Sequence, residues 1–270
     1  MKSLRSVFFP LLIFASCGLI AQVGPSQKAK DAELLTNARA TYYSLQNAGF
    51  HGLNCDVVPN WIPLINPEGR KNPTLVEPIV AKLNEMHSSF SVGGNGFVLL
   101  IHKAPPPNKQ PLPAELSQIY GAMEQATSNF LDVWATFLVS GPLPVPGTEI
   151  NLESSPAEHK IGYKEGVNTK VEITTNKNYV VTSYRSSFKD SVRVIRPRFS
   201  ESAKGLRLTS YEAEYTEDAG KYKVQIQSSW KNQDVSGMKI PQELNLVGSD
   251  NSGGSFTVQI KFVGCTVTKR

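Results

Sequence analysis

Residues 221–248 read KYKVQIQSSWKNQDVSGMKIPQELNLVG, and this stretch decides the fold. Its first half places Val224, Ile226 and Trp230 at even-numbered positions, with polar residues at the odd-numbered ones. A period of two is typical of a β-strand with one covered face and one wet face. The Ser236-Gly237 pair interrupts the pattern and suits the positive φ angles of a tight hairpin turn. The stretch therefore predicts two long antiparallel strands.

The same pattern continues on both sides of this stretch. Short segments rich in Gly, Asn, Asp and Ser separate the apolar runs, which implies antiparallel neighbours. Because a single open sheet leaves its apolar face in water, it must curl into a barrel or pack against another layer. We predict an α+β fold: a long antiparallel β-meander curled into an incomplete barrel and covered by amphipathic helices. The predicted strands are His159–Lys164, Lys170–Thr175, Tyr179–Ser186, Ser191–Phe199, Gly205–Thr216, Lys221–Val235, Met238–Gly248 and Ser255–Thr268.

The longest helical pattern lies between two proline-rich segments, at Glu115–Leu138. Large apolar residues recur there at steps of three and four, so one face of the helix is apolar. We expect this helix to lie across the concave face of the sheet, where its aromatic side is either plain core or the wall of a ligand cavity. The candidate cavity-lining residues are Met123, Phe130, Trp134 and Phe137.

The first half of the chain predicts a smaller set of elements. Helical spacing covers Asp31–Leu45, and a second helix runs from Pro78, in its first turn, to about Met86. The predicted strands here are Gly52–Val58 and a hairpin of Phe90–Val92 with Phe97–His102. We assign residues 22–270 to a single domain with a helical insertion around 73–147.

The N-terminus has the pattern of a secretory signal peptide, which we assign to residues 1–21. Two basic residues precede the run Val7–Phe14, which is too short to span a bilayer. Two processing alternatives remain open. Cleavage after Ala21 would release a free protein. The segment ending in Cys17 has the pattern of a bacterial lipobox with an atypical Phe, and a lipidated Cys17 would anchor the protein to a membrane, at the outer membrane in the bacterial case.

Composition and cysteine usage agree with an exported globular protein. The net charge is +5, of which the predicted signal contributes two, and this is too little for a nucleic-acid-binding protein. In an oxidising compartment the remaining pair, Cys55 and Cys265, favours a disulfide over a metal site, which needs three or four ligands. Such a bridge would fasten the first strand to the last. The alternative is two buried, unpaired thiols.

No catalytic or metal-binding constellation is visible in the sequence. The histidines (His51, His87, His102 and His159) are not at metal-ligand spacing, and no nucleophile motif or nucleotide loop is present. Glu212 and Glu214 share a side of one predicted strand, but their polar surroundings favour a solvated face over a glycosidase pair. We therefore expect no catalytic residue, no metal and no cofactor.

Basic residues concentrate around one predicted strand pair, with Arg193, Arg196 and Arg198 on the first strand. A solvated face is the simpler interpretation. The functional alternative is a docking patch for anionic lipid head groups or an acidic partner.

The order of elements is informative together with two segments, Gly205–Tyr211 and Trp230–Leu244, in which glycine and proline flank a strand–turn–strand. In these features the chain resembles the LolA-like superfamily of periplasmic lipoprotein carriers. The resemblance covers about the last 110 residues and the first helix, whereas residues 56–147 exceed what the compact carriers need. It implies a divergent member in which an incomplete antiparallel barrel covered by helices holds acyl chains.

Three functional hypotheses follow. The first is an exported, non-enzymatic binding protein of the bacterial periplasm or cell envelope that holds a lipid or an acylated partner in an apolar half-barrel, with a membrane surface as a further partner and no nucleic acid. The second is a structural or interaction module of the envelope with a filled core. The third is a hydrolase whose site the sequence does not reveal.

Overall fold

The computed structural model describes residues 27–66, 72–103 and 112–270. The helices are α1 (Gln27–Ala40), α2 (Ile62–Ile65), α3 (Pro73–Leu83) and α4 (Ala114–Trp134). The strands are β1 (Phe50–Asn60), β2 (His87–Gly93), β3 (Val98–Lys103), β4 (Asn151–Ser154), β5 (Glu158–Glu165), β6 (Thr169–Asn176), β7 (Val181–Phe188), β8 (Ser191–Ser200), β9 (Arg207–Glu217), β10 (Tyr222–Val235), β11 (Met238–Asp250) and β12 (Ser255–Lys269).

All twelve strands form one antiparallel sheet in the order β3-β2-β1-β12-β11-β10-β9-β8-β7-β6-β5-β4. Strands that follow one another from β4 to β12 are neighbours, as short turns require. The sheet does not close, since β3 and β4 are its two edges. An incomplete barrel fits this sheet, but its covering helices are fewer than we predicted: only α1, α3 and α4 exceed one turn in the described ranges.

The two faces of the sheet differ in burial. Along β12, Val258, Ile260 and Phe262 are buried, whereas the neighbouring Lys261 is exposed. The buried positions belong to one contiguous core that includes the apolar side of α4. We call the side of the sheet that faces α4 the inner face and the opposite side the outer face. The alternation read from the sequence therefore identified the face that carries the core.

The turn between β10 and β11 has the geometry that its sequence predicts. Val235 pairs with Met238, so the loop contains two residues, Ser236 and Gly237. Their φ angles are 55° and 76°. Positive φ at both positions gives the backbone twist that suits a right-twisted hairpin.

The first helix ends earlier than the predicted Leu45. After Ala40 the chain turns, and Tyr42 forms a parallel bridge with Leu206. The Tyr42 hydroxyl donates to Tyr179 O (2.6 Å) and accepts from Val181 N (2.7 Å). Gly205 permits this contact, because a Cβ there would lie 2.8 Å from Thr41 O. Tertiary pairing with the sheet thus overrides the helical periodicity of this segment.

Two further expectations need correction. Pro78 lies inside α3, whose first residue is Pro73, and Asn72 caps the helix by accepting from Thr74 N (3.0 Å). Proline at the first helical position suits a helix start, and here that proline is Pro73 rather than Pro78. The short edge strand β4 was not predicted. Leu152 is its one partly buried residue, so this strand of four residues has no alternation of apolar and polar side chains from which it could be predicted.

The predicted pairing of Cys55 and Cys265 is present. The two residues lie on the neighbouring strands β1 and β12 and are 210 positions apart in sequence, with their sulfur atoms at disulfide-bonding distance. The register of these strands shifts between Asn54 and Asp56, opposite Gly264, which has a φ angle of 59°. A glycine of positive φ is typical of such a β-bulge. The disulfide therefore fastens the first strand to the last.

Candidate binding site between the inner face and helix α4

The four candidate cavity-lining residues lie together on one helical surface. Met123, Phe130 and Trp134 belong to α4, and Phe137 belongs to a π-helical turn, Ala135–Val139, that continues it. All four side chains are fully buried. They line none of the surface grooves described below. In this structure the side chains of the helix therefore fill the space in front of the sheet.

Aromatic rings make most of the contact between this helix and the inner face. The Phe130 ring lies 5.4 Å from that of Trp230 and 6.1 Å from that of Phe262. The Phe137 ring lies 5.8 Å from that of Tyr184 and 6.1 Å from that of Phe199. Each such pair contributes about 0.5–1.5 kcal/mol beyond its burial. Aromatic contacts thus join the helix to β10 and β12 at one end and to β7 and β8 at the other.

Two indole groups in this region lack hydrogen-bond partners. Trp134 Nε1 and Trp230 Nε1 are both buried, and neither donates to any atom of the described residues. A buried donor without an acceptor costs about 1–3 kcal/mol, and most buried polar groups in native proteins are paired. The aromatic part of this region therefore contains two unused hydrogen-bond donors.

An ion pair joins the helix to the sheet at the margin of the site. Arg193 on β8 contacts the Asp132 carboxylate of α4 through Nη1, and its Nε donates to Ser186 Oγ at 3.3 Å. Burial lowers the pKa of Arg193, but Asp132 and then Tyr215 and Tyr184 outweigh that effect, so the net shift of the pKa is upward. The guanidinium stays charged and half-buried against the helix.

Tyrosines line the inner face beside this pair. Tyr215 lies directly across from Arg193, and burial raises its pKa to about 12. Burial also raises the pKa of Tyr163, Tyr184 and Tyr211. At neutral pH these hydroxyls are therefore uncharged, and they add no charge beside the Arg193–Asp132 pair.

The predicted basic patch is divided between the two faces. Arg193 points to the inner face and is paired, whereas Arg196 and Arg198 are exposed on the outer face. There Arg198 Nη2 lies 2.7 Å from Glu212 Oε1. Both exposed arginines line an outer groove of about 450 Å³. Successive side chains of a strand point to opposite faces. The sequence therefore already places the odd-numbered Arg193 on one face and the even-numbered Arg196 and Arg198 on the other.

The described residues contain no evident reaction centre. No three His, Cys, Asp or Glu side chains among them are grouped as metal ligands. His159 Nδ1 shares a 2.8 Å hydrogen bond with Ser154 Oγ, and its ring stacks on Tyr179. Burial, and then nearby Lys177, lowers the pKa of His159. A triad also needs a carboxylate on the second ring nitrogen, and no hydrogen bond of this kind is present in the described part of the chain.

Two further points concern the predicted signal segment and membrane-spanning helices. Cys17 and the rest of the predicted signal lie outside the described residues. Among the helices of the described ranges, none combines the length and apolar character needed to cross a membrane.

Comparison with family models, with curated proteins and with solved structures found no match. The resemblance to LolA-like carriers therefore stays a prediction.

Asp132 is a residue at the margin of this site that the sequence reasoning missed. It is an acidic residue between Phe130 and Trp134, on a stretch of helix that is otherwise mostly apolar. A charge beside an apolar helix face needs a partner or solvent. That signal pointed to an ion pair, but the identity of the partner, Arg193, depends on tertiary packing.

Proposed function

We propose that this protein is an exported, non-enzymatic binding protein of the bacterial periplasm or cell envelope. In this proposal an apolar chain, either a lipid or the acyl chain of a lipoprotein, enters the space between the inner face and α4. The helix occupies that space in the ligand-free state and moves outward when the chain binds.

The observation that carries this proposal is the composition of the interface between α4 and the sheet. It is large, apolar and aromatic, and it leaves the donors of Trp134 and Trp230 unused. A permanent core rarely leaves two indole N–H groups unpaired, whereas a carbonyl or hydroxyl group of a bound lipid offers them acceptors. The π-helical turn at Ala135–Val139 adds support, because such turns are frequent at functional sites.

The order of elements supports the same proposal. An N-terminal helix, a first strand, intervening helices and a long antiparallel meander are the features in which the chain resembles the LolA-like carriers. We propose a divergent member with fewer covering helices. Arg196, and Arg198 in exchange for its pairing with Glu212, would then offer anionic head groups a contact on the outer face. Arg193 is withdrawn from that role because it is paired with Asp132 against the helix on the inner face.

The test is titration with cis-parinaric acid, a fluorescent fatty acid. We expect saturable binding by the wild type. Phe130→Ala removes a ring from the occupied space and should tighten binding about tenfold or more, since the ligand then displaces less protein. Ile161→Ala on β5 removes an equally buried side chain and is the control for general loosening. It should leave the affinity unchanged.

A second candidate function is an envelope interaction module with a permanently filled core. The observation that favours it is the complete burial of Met123, Phe130, Trp134 and Phe137. Absence of saturable probe binding in both the wild type and Phe130→Ala would establish this candidate and refute the lipid carrier.

A further inference from the structure

A second groove lies across four central strands and has a volume of about 760 Å³. Its floor consists of residues 58–60 of β1, 229–231 of β10, 243–245 of β11 and 259–261 of β12, and residues of α2 and α3 close one end. This volume is within the range of small-ligand sites.

The groove opens on the outer face, away from α4. Leu244 and Ile260 are cross-strand partners, and both are buried in the core. The next pair in the ladder, Glu243 and Lys261, is partly or fully exposed. Because successive side chains of a strand point to opposite faces, the odd-numbered residues of β10, β11 and β12 contribute their side chains to the groove. The groove therefore opens on the opposite face from the site proposed for the apolar chain, although Trp230 belongs to the lining of both.

One row of the floor is a ladder of amide side chains. Asn60, Gln259 and Asn245 are direct cross-strand neighbours. Asn60 Nδ2 donates to Gln259 Oε1 at 2.9 Å, and Gln259 Nε2 donates to Asn245 Oδ1 at 3.4 Å. Each carboxamide has two donor hydrogens and an oxygen with two lone pairs. The ladder thus keeps both donors and acceptors for a ligand, in fixed positions.

The next row carries charges of both signs, two ammonium groups and one carboxylate. Glu243 lies between Lys231 (2.8 Å) and Lys261 (3.8 Å) in the ladder. A phosphate or sulfate here would face the Glu243 carboxylate, and a cationic ligand would face two ammonium groups. The row therefore favours a ligand that is neutral and rich in groups that both donate and accept hydrogen bonds.

Apolar surface stands beside the polar rows. Val58 and Ile62 are 47% and 54% exposed at the end of β1 and the start of α2. Sugar rings combine hydroxyl groups with apolar C–H faces, so amides next to exposed aliphatic groups match them. An extended peptide is less well matched, because β11 and β12 are paired on both sides here and have no free backbone edge to offer.

We propose that this amide groove, formed around Asn60, Asn245 and Gln259, binds a neutral oligosaccharide. The three carboxamides hydrogen-bond hydroxyl or acetamido groups, and Val58 and Ile62 contact the apolar side of the sugar. This function is independent of binding at the inner face.

The test is isothermal titration calorimetry with two probes: chitotetraose, the tetramer of N-acetylglucosamine, and cellotetraose. We expect saturable binding of at least one of them. The double variant Asn245→Ala/Gln259→Ala should weaken it about tenfold or more, since it removes two of the three hydrogen-bonding amides from the floor. The control Gln225→Ala/Gln227→Ala removes exposed amides of β10 outside the groove and should bind like the wild type.

Three results would overturn the proposal: no binding of either probe at millimolar concentration, equal weakening in the control, or binding of the peptide Gly-Asn-Gly-Asn with the same dependence on Asn245 and Gln259. The double variant should bind cis-parinaric acid like the wild type. Failure of the glycan site is therefore distinguishable from failure of the lipid site.

Discussion

The inner and outer faces of β10, β11 and β12 carry opposite chemistry on the same three strands. On the inner face, Trp230, Leu244 and Ile260 lie side by side in the ladder, in the core that includes α4. One position away, Ser229, Asn245 and Gln259 form a polar row on the outer face. A register slip of one residue would exchange the two faces. The comparison teaches that the alternation of side chains along each strand gives the two faces their different chemistry.

The two faces should differ most in how strongly a substitution on each face lowers the free energy of unfolding. The Phe262 ring lies 5.3 Å from that of Phe90 and 6.1 Å from that of Phe130. Phe262→Ala should lower the free energy of unfolding by about 3–5 kcal/mol, because it leaves a cavity. The adjacent outer-face variant Lys261→Ala should change it by less than about 0.5 kcal/mol. Urea denaturation measures both, and losses of equal size would refute the division into two faces.

The disulfide should have the next largest effect, since it fixes the register of β1 against β12 and thereby both faces. Removing it in Cys55→Ser/Cys265→Ser should lower the free energy of unfolding by about 2–5 kcal/mol. Urea denaturation of the wild type with and without reductant gives the matched comparison. Two free thiols in the unfolded, unreduced protein would contradict the pairing.

A smaller effect is expected where a ring covers a glycine on the inner face. A Cβ at Gly248 would lie 2.2 Å from Phe256 Cζ, so Gly248→Ala forces the ring to move. We expect a loss of about 1–3 kcal/mol from overpacking. Thermal unfolding should show partial recovery when Phe256→Leu is added, and Val247→Ala on the outer face should show little change. Additive losses in the double variant would mean that the ring is not the cause.

The smallest effect concerns alkaline pH and the buried tyrosines. Burial raises the pKa of Tyr215 from its usual value of 10.0 to about 12. A raised pKa in the folded state stabilises the protein fully below the unfolded-state pKa, and this contribution is lost as the pH rises from about 10 to about 12. Tyr215→Phe should reduce the slope of stability against pH in that window by up to about 1.4 kcal/mol per pH unit. An unchanged slope would contradict burial of this hydroxyl.

The local pattern of apolar and polar residues was sufficient to predict most strands of the sheet. The alternation at Val258, Ile260 and Phe262 and the turn at Ser236-Gly237 predicted strands and hairpins, because both depend on neighbouring residues. The disulfide was predictable because two cysteines lie outside the predicted signal, and two cysteines allow one pairing. These signals together gave an antiparallel sheet with its first and last strands joined.

Tertiary contacts decided the remaining features. The first helix ends before Tyr42 because Leu206, far away in sequence, pairs with that residue. Likewise the amide ladder joins Asn60 to Gln259 and Asn245 through the register of three strands, which no local pattern reveals. Whether the aromatic face of α4 fills the half-barrel or lines a cavity also depends on three-dimensional packing, and here its rings fill the space.

The most direct test of the central claim is extraction and mass spectrometry of the protein purified after export with its own signal sequence. Binding of an apolar chain at the inner face predicts stoichiometric lipid, retained in Phe130→Ala, a variant that must first be shown to be folded by circular dichroism. Lipid-free wild-type protein that also gives no saturable binding of cis-parinaric acid would contradict the claim and leave α4 as a permanent part of the core.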